Sequence, residues 1–137
     1  MSCVSALIVV RLEAATDHVL LLARLSYDGE DPYAVQAEFF DGPDVLARWH
    51  FDRQMLAEGL RRPVGEGDVG FSPYTDAGAD ELRIDLRGPS TEPEGNATLF
   101  VDTRVLTCFL EQTFAVIGMG EEFLDLDTLL DELLARG

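Results

Sequence analysis

The sequence predicts an α+β domain in which two antiparallel β-sheets are crossed by helices. Apolar and β-branched residues alternate at period two in a series of short segments, and Gly, Pro, Asp and Asn punctuate them. The connections are short, as in an antiparallel meander. A run of strands followed by a helix or helix pair occurs twice along the chain, an internal echo that suggests two antiparallel sheets crossed by helices. At 137 residues the whole chain, 1–137, reads as a single domain with enough length to bury a core without metal or disulfide staples.

Residues 4–13 form the first strand, with Ala6, Ile8, Val10 and Leu12 on one face. Asp17 and His18 punctuate, and residues 19–27 form a second strand that is apolar on both sides, Leu20 and Leu22 opposite Leu21, Ala23 and Leu25. A strand with two apolar faces needs a second cover, so Leu21 is a candidate oligomer contact. Residues 28–32 make a turn in which Pro32 holds Asp31 extended. Strands at 34–40 and 45–51 follow, joined by Asp41-Gly42-Pro43-Asp44. Phe39 and Phe40 cannot both face inward, so one of the two turns toward solvent or a partner.

Asp52 is placed to cap a short helix whose Met55, Leu56 and Leu60 face the core, with Gly59 and Pro63 ending it. Strands are expected at 68–74, 82–87 and 97–101, separated by turn-rich stretches at 75–80 and 88–95, the second of them mobile. Asp102 or Thr103 caps a longer helix to Val116 that carries Val105, Leu106, Phe109, Leu110 and Thr113 at helical spacing. Gly118 and Gly120 break it, and a last helix is expected at 126–135.

The formal charge is −16, and every basic residue apart from the two histidines is arginine. Such a surface repels phosphate backbones, and Arg61-Arg62 is the one adjacent basic pair, which argues against nucleic acid as a partner. No segment approaches the roughly 20 apolar residues of a membrane span, so a cytoplasmic protein is expected. Cys3 and Cys108 are too few for a disulfide framework or zinc site and read as buried thiols.

Motifs for chemistry are sparse. Gly65-Glu66-Gly67-Asp68-Val69-Gly70 fits G-x-G-x-x-G, but a helix precedes it, a strand follows, and its two acids would repel a pyrophosphate; a glycine turn is expected instead. Asp28, Glu30 and Asp31 have no recognised calcium-loop spacing and read as solvated turn carboxylates. With His18 and His50 as the only imidazoles and no serine in a nucleophile elbow, no catalytic team, metal site or cofactor is expected.

Two blocks carry a resemblance: Tyr27-Asp28-Gly29-Glu30-Asp31-Pro32-Tyr33-Ala34-Val35, and the stretch from Met55 through Glu58-Gly59-Leu60-Arg61-Arg62-Pro63-Val64-Gly65-Glu66-Gly67-Asp68-Val69. Together with Leu124-Asp125-Leu126-Asp127-Thr128-Leu129-Leu130 they resemble the SsgA-like family of actinomycete sporulation and cell-division regulators, nearest its SsgB branch. The resemblance implies a fold related to the whirly single-stranded-DNA-binding proteins and a non-enzymatic role at the septum. There the protein would help to position the division GTPase FtsZ, or bind another septum-associated protein, as a homo-oligomer such as a trimer. One departure is that a proline-bearing junction expected before the last helix reads Val116-Ile117-Gly118-Met119-Gly120-Glu121, which makes it less rigid.

Polar loops on a rigid scaffold often carry recognition, so Asp28, Asp31 and Tyr33 in the first block and Glu58, Arg61 and Arg62 in the second are the candidate partner-binding residues. Two other classes of function stay open: a single-stranded nucleic-acid binder, which requires stacking aromatics beside a basic groove, and a small-ligand pocket lined by Leu56, Phe109 and Phe114.

Overall fold

The computed structural model describes residues 3–13, 17–87 and 96–118. Strands β1 (Cys3–Glu13), β2 (His18–Asp28), β3 (Ala34–Asp41) and β4 (Asp44–Asp52) lead into helix α1 (Arg53–Gly59). Strands β5 (Val64–Glu66), β6 (Val69–Asp76), β7 (Ala79–Arg87) and β8 (Asn96–Asp102) lead into helix α2 (Thr103–Val116). The stretch expected to be mobile at 88–95, the junction beyond Gly118 and the helix expected at 126–135 lie outside the described residues.

The two-sheet expectation is corrected. All the described strands belong to one eight-stranded antiparallel sheet in the order β4-β3-β2-β1-β8-β7-β6-β5. The two halves meet where Arg11 and Leu12 of β1 pair with Phe100 and Leu99 of β8. β1 and β8 each have one side taken by a sequence neighbour, and pairing their other sides removes part of two open edges. The continuous order lends no separate support to a whirly-like arrangement.

Period-two alternation decides which side of the sheet is buried. Ile8 and Val10 of β1, Ala23, Leu25 and Tyr27 of β2, and Val35, Ala37 and Phe39 of β3 point to the inner face. There they join Leu82, Ile84 and Leu86 of β7, Leu99 and Val101 of β8, Leu56 of α1 and Leu106, Phe109 and Leu110 of α2 in one core. Val105, expected on the same stripe of α2, is exposed instead. On the outer face the seam has its own cover: Phe100 is buried under the Arg11 guanidinium at 4.5 Å and the Tyr74 ring at 4.8 Å. Arg11 also bonds Glu81 at 2.5 Å, which ties β1 to β7 across β8.

The expected glycine turn joins two strands, and a tight turn replaces the loop expected at 75–80. The glycine motif is a β5–β6 hairpin, Glu66 opposite Val69, with Gly67 at φ +60. β6 and β7 run on to Asp76 and Ala79, and the turn between them is Ala77-Gly78 with φ of +51 and +82, as a type I′ hairpin requires. Gly59 ends α1 for a reason other than backbone freedom: a Cβ there would lie 2.4 Å from Phe71 Cβ, so only glycine lets α1 pack onto β6. The cysteines were expected inside and are both exposed, Cys3 on the outward side of β1 and Cys108 on the outward side of α2.

Candidate interaction surface

The first block of candidate residues is the β2–β3 turn, and its geometry is built by its own carboxylates. Asp28 Oδ1 accepts the Glu30 N–H at 3.0 Å, and the Asp28 carbonyl accepts the Asp31 N–H at 2.9 Å. The Tyr27 hydroxyl donates to the Pro32 carbonyl at 3.1 Å from a buried ring, anchoring the turn to the core. Tyr33 follows with its side chain 41% exposed, while its carbonyl accepts the N–H of Arg53, the first residue of α1, at 2.7 Å.

The second block is the other end of that helix. Asp52 caps α1 by accepting the Met55 N–H at 3.0 Å. Leu60 closes it, and the N–H groups of Arg61 and Arg62 both donate to the Glu58 carbonyl, at 2.9 and 3.0 Å. Arg62 Nη2 pairs with Glu58 across one helical turn at 2.7 Å, leaving Arg61 as an exposed cation with no carboxylate at ion-pair distance among the described residues. A seven-residue helix is about 10 Å long, so the structure places Tyr33 and Arg61 at opposite ends of one rigid strut.

Arg53, which sequence reasoning missed, holds that strut. Its side chain is fully buried, and Nη1 donates to the carbonyls of Thr113 at 3.1 Å and Ile117 at 2.6 Å. The guanidinium also lies 4.2 Å from the Phe114 ring centre and 5.0 Å from that of Tyr27. A cation at the C-terminal end of α2 gives the Thr113 carbonyl a second donor beside the Ile117 N–H, gives the Ile117 carbonyl a donor, and meets the negative end of the helix dipole. The available signal was an arginine three residues before Leu56, on the side of α1 that the apolar stripe assigns to the core.

Leu21 is half-buried against the core, so the apolar side that β2 shows to solvent is that of Leu20 and Leu22. Leu22 pairs with Val9 of β1 and Phe40 of β3, and Phe40 pairs with Val45 of β4. These residues make an apolar row across four strands of the outer face, flanked by Leu7 and Leu20, which are 61% and 70% exposed. Phe40 is thus the outward member of the Phe39-Phe40 pair, as the alternation required.

Most described arginines are already engaged. Arg24 and Arg48 share Glu38, Arg83 pairs with Asp85 and Arg104 with Asp102. The interior has little room near Leu56, where the void among Ile8, Phe39, Phe51 and Leu106 is about 10 Å³, well short of a ligand site. No helix among the described residues is long and apolar enough to cross a membrane.

Residues 21–122 match the family model "Streptomyces sporulation and cell division protein, SsgA". The chain is 42% identical over 116 residues to the sporulation-specific cell division protein SsgB of Streptomyces coelicolor, covering 83% of this chain and 82% of that protein. Its fold superposes with a TM-score of 0.82 on the SsgA-like sporulation-specific cell division protein of Thermobifida fusca, at 30% identity, covering 96% and 95% of the two chains. A structure from work on SsgB mutations that correlate to longitudinal division in Streptomyces coelicolor sporulation gives a TM-score of 0.79 at 37% identity, with 89% and 94% covered. The chain therefore belongs to the SsgA family of sporulation and cell division proteins.

Proposed function

We propose that this protein is a non-enzymatic regulator of sporulation-specific cell division that acts in the cytoplasm at the septum and helps to position the FtsZ ring by direct contact. The observation that carries this reading is the strut: α1 holds the exposed Tyr33 turn at one end and Arg61 and Arg62 at the other, and the buried Arg53 fixes it to α2. Recognition residues on a rigid support suit a protein partner, and the pairing of Arg24, Arg48 and Arg83 with carboxylates favours protein over nucleic acid. The names of the relatives, sporulation-specific cell division proteins, supply the process. The test is co-sedimentation with FtsZ polymers. Parent protein should pellet with the polymer, and an Arg61→Ala, Arg62→Ala double variant that melts like the parent should pellet less. A parent that stays in the supernatant under every assembly condition sinks direct recruitment.

The apolar row Val9-Leu22-Phe40-Val45 favours a second part of the same reading, assembly into a homo-oligomer such as a trimer. These residues expose more contiguous apolar surface than scattered single side chains do, and a second copy would cover it.

A further inference from the structure

β1 extends well past its pairing with β8. It runs from Cys3 to Glu13, yet its register with β8 comprises only Arg11 with Phe100 and Leu12 with Leu99, because the chain leaves β8 at Asp102 and enters α2. On its other side β1 pairs with β2 along its full length, from Cys3 with Asp28 to Glu13 with His18. The backbone N–H and C=O groups that alternate residues from 3 to 8 send away from β2 therefore meet no strand among the described residues. Such an edge is a template for another chain.

Helix α2 turns this edge into a groove. Ala6, Leu7 and Ile8 line one side, and Val105, Cys108 and Phe109 the other, of a shallow, open depression of about 500 Å³ in which Arg104 is paired with Asp102. Val105 is 43% exposed and Cys108 is exposed, so the helix side offers small and medium apolar groups that stand open among the described residues. A strand laid on β1 would direct alternate side chains to the two faces of the sheet, one set toward Val105 and Cys108, the other beside Leu7. Strand edge and helix together supply backbone pairing for affinity and side-chain contacts for selection.

Charge chooses among the possible occupants. At the Cys3 end of β1 lies the β2–β3 turn, where Asp28, Glu30 and Asp31 make no ion pair among the described residues. A second copy has the outer apolar row to seat on and would bring another formal charge of −16 to this edge, and the chain's own residues 119–137 carry Glu121, Glu122, Asp125, Asp127, Asp131 and Glu132 against Arg136. Both would bring like charge to that end of the groove. We infer that the groove between the free edge of β1 and α2 binds an extended, basic segment of a partner protein by strand addition, with a Lys or Arg at the end beside Asp28 and Asp31. This goes beyond the FtsZ reading and stands without it.

The probe is the synthetic peptide Lys-Leu-Val-Thr-Val-Leu-Lys, blocked at both termini, titrated into the full chain and followed by backbone amide NMR. Shifts should concentrate in residues 3–8 of β1 and along α2 from Arg104 to Gln112. Replacing the two lysines with Glu, or N-methylating alternate peptide bonds on the pairing side, should each weaken binding by about tenfold or more. Val105→Arg should do the same without moving the melting temperature, since Val105 is outside the core. The inference is overturned by a peptide that leaves β1 amides unshifted at millimolar concentration, by shifts centred elsewhere, or by equal binding of the Glu peptide. It is equally overturned if the free protein protects the β1 edge amides in proportion to its own concentration, because a second copy is then the occupant.

Discussion

The guanidinium of Arg53 donates to the carbonyl oxygen of Thr113 at 3.1 Å, joining the first residue of α1 to the last turn of α2 across sixty positions of sequence. Neither partner is exposed, and the Thr113 hydroxyl turns back to the Leu110 carbonyl at 2.7 Å. Removing the arginine takes a charged donor from the Ile117 and Thr113 carbonyls, the second of which keeps only the Ile117 N–H, and opens space between Tyr27 and Phe114. Arg53→Ala should therefore cost about 3 kcal/mol or more of unfolding free energy. Arg53→Lys should recover only part of this, because one ammonium cannot reproduce a planar fork between two rings. Urea melts of both variants decide the matter: an Arg53→Ala midpoint within experimental error of the parent refutes the role given to this side chain.

Gly59 offers a test in which two effects oppose each other. Alanine is the better helix former by about 1 kcal/mol, which alone would stabilise α1. A Cβ at position 59, however, would sit 2.4 Å from Phe71 Cβ and 3.3 Å from its Cγ, and Phe71 is itself buried. Overpacking of this kind costs about 1–3 kcal/mol, so Gly59→Ala should lower the denaturation midpoint. A raised midpoint would mean that α1 can shift away from β6 at little cost.

The β6–β7 turn should be improvable. Ala77 sits at φ +51, where an L-residue with a plain Cβ is held at a cost of about 1–2 kcal/mol, whereas asparagine is favoured at this position of a type I′ hairpin. Ala77→Asn is expected to raise stability by about 0.5–1 kcal/mol, read as a higher thermal midpoint with unchanged circular dichroism. Asparagine giving no gain would show that the turn is not strained.

Alternation made the strands legible in advance, since residues such as Ile8, Val10, Ala23 and Leu25 lie on the buried face that period two assigns them. β5 escaped notice because Val64-Gly65-Glu66 is too short and too rich in glycine to alternate. The single sheet was hidden for another reason: it depends on a short pairing between residues 11–12 and 99–100, and sequence pattern is silent on which distant edges meet. The same distance hid Arg53, whose burial needs α2 to arrive from the other end of the chain. Cys3 and Cys108 misled because apolar neighbours in sequence do not fix the side of an element on which a residue falls. The candidate loops were visible as exposed polar segments, but their placement at the two ends of α1 was visible only in space.

The outer row of β2 gives the last prediction. Leu22 is 50% exposed and lies in register with Val9 and Phe40, whereas its neighbour Leu21 packs on the core. A charge placed at each position should therefore fail in a different way. Leu22→Asp buries nothing in the monomer and should leave the melting temperature nearly unchanged, but it would put a carboxylate in the middle of an apolar contact between copies. Leu21→Asp would bring a charge toward the inner face and should cost about 1–3 kcal/mol of folding free energy. Light scattering on the parent and on Leu22→Asp, at matched concentration, should show a multiple of the monomer mass for the first and a shift toward the monomer for the second. If the parent already scatters as a monomer at tens of micromolar, the apolar row is not a contact between copies, and the exposed face of β1 to β4 must be explained by another partner.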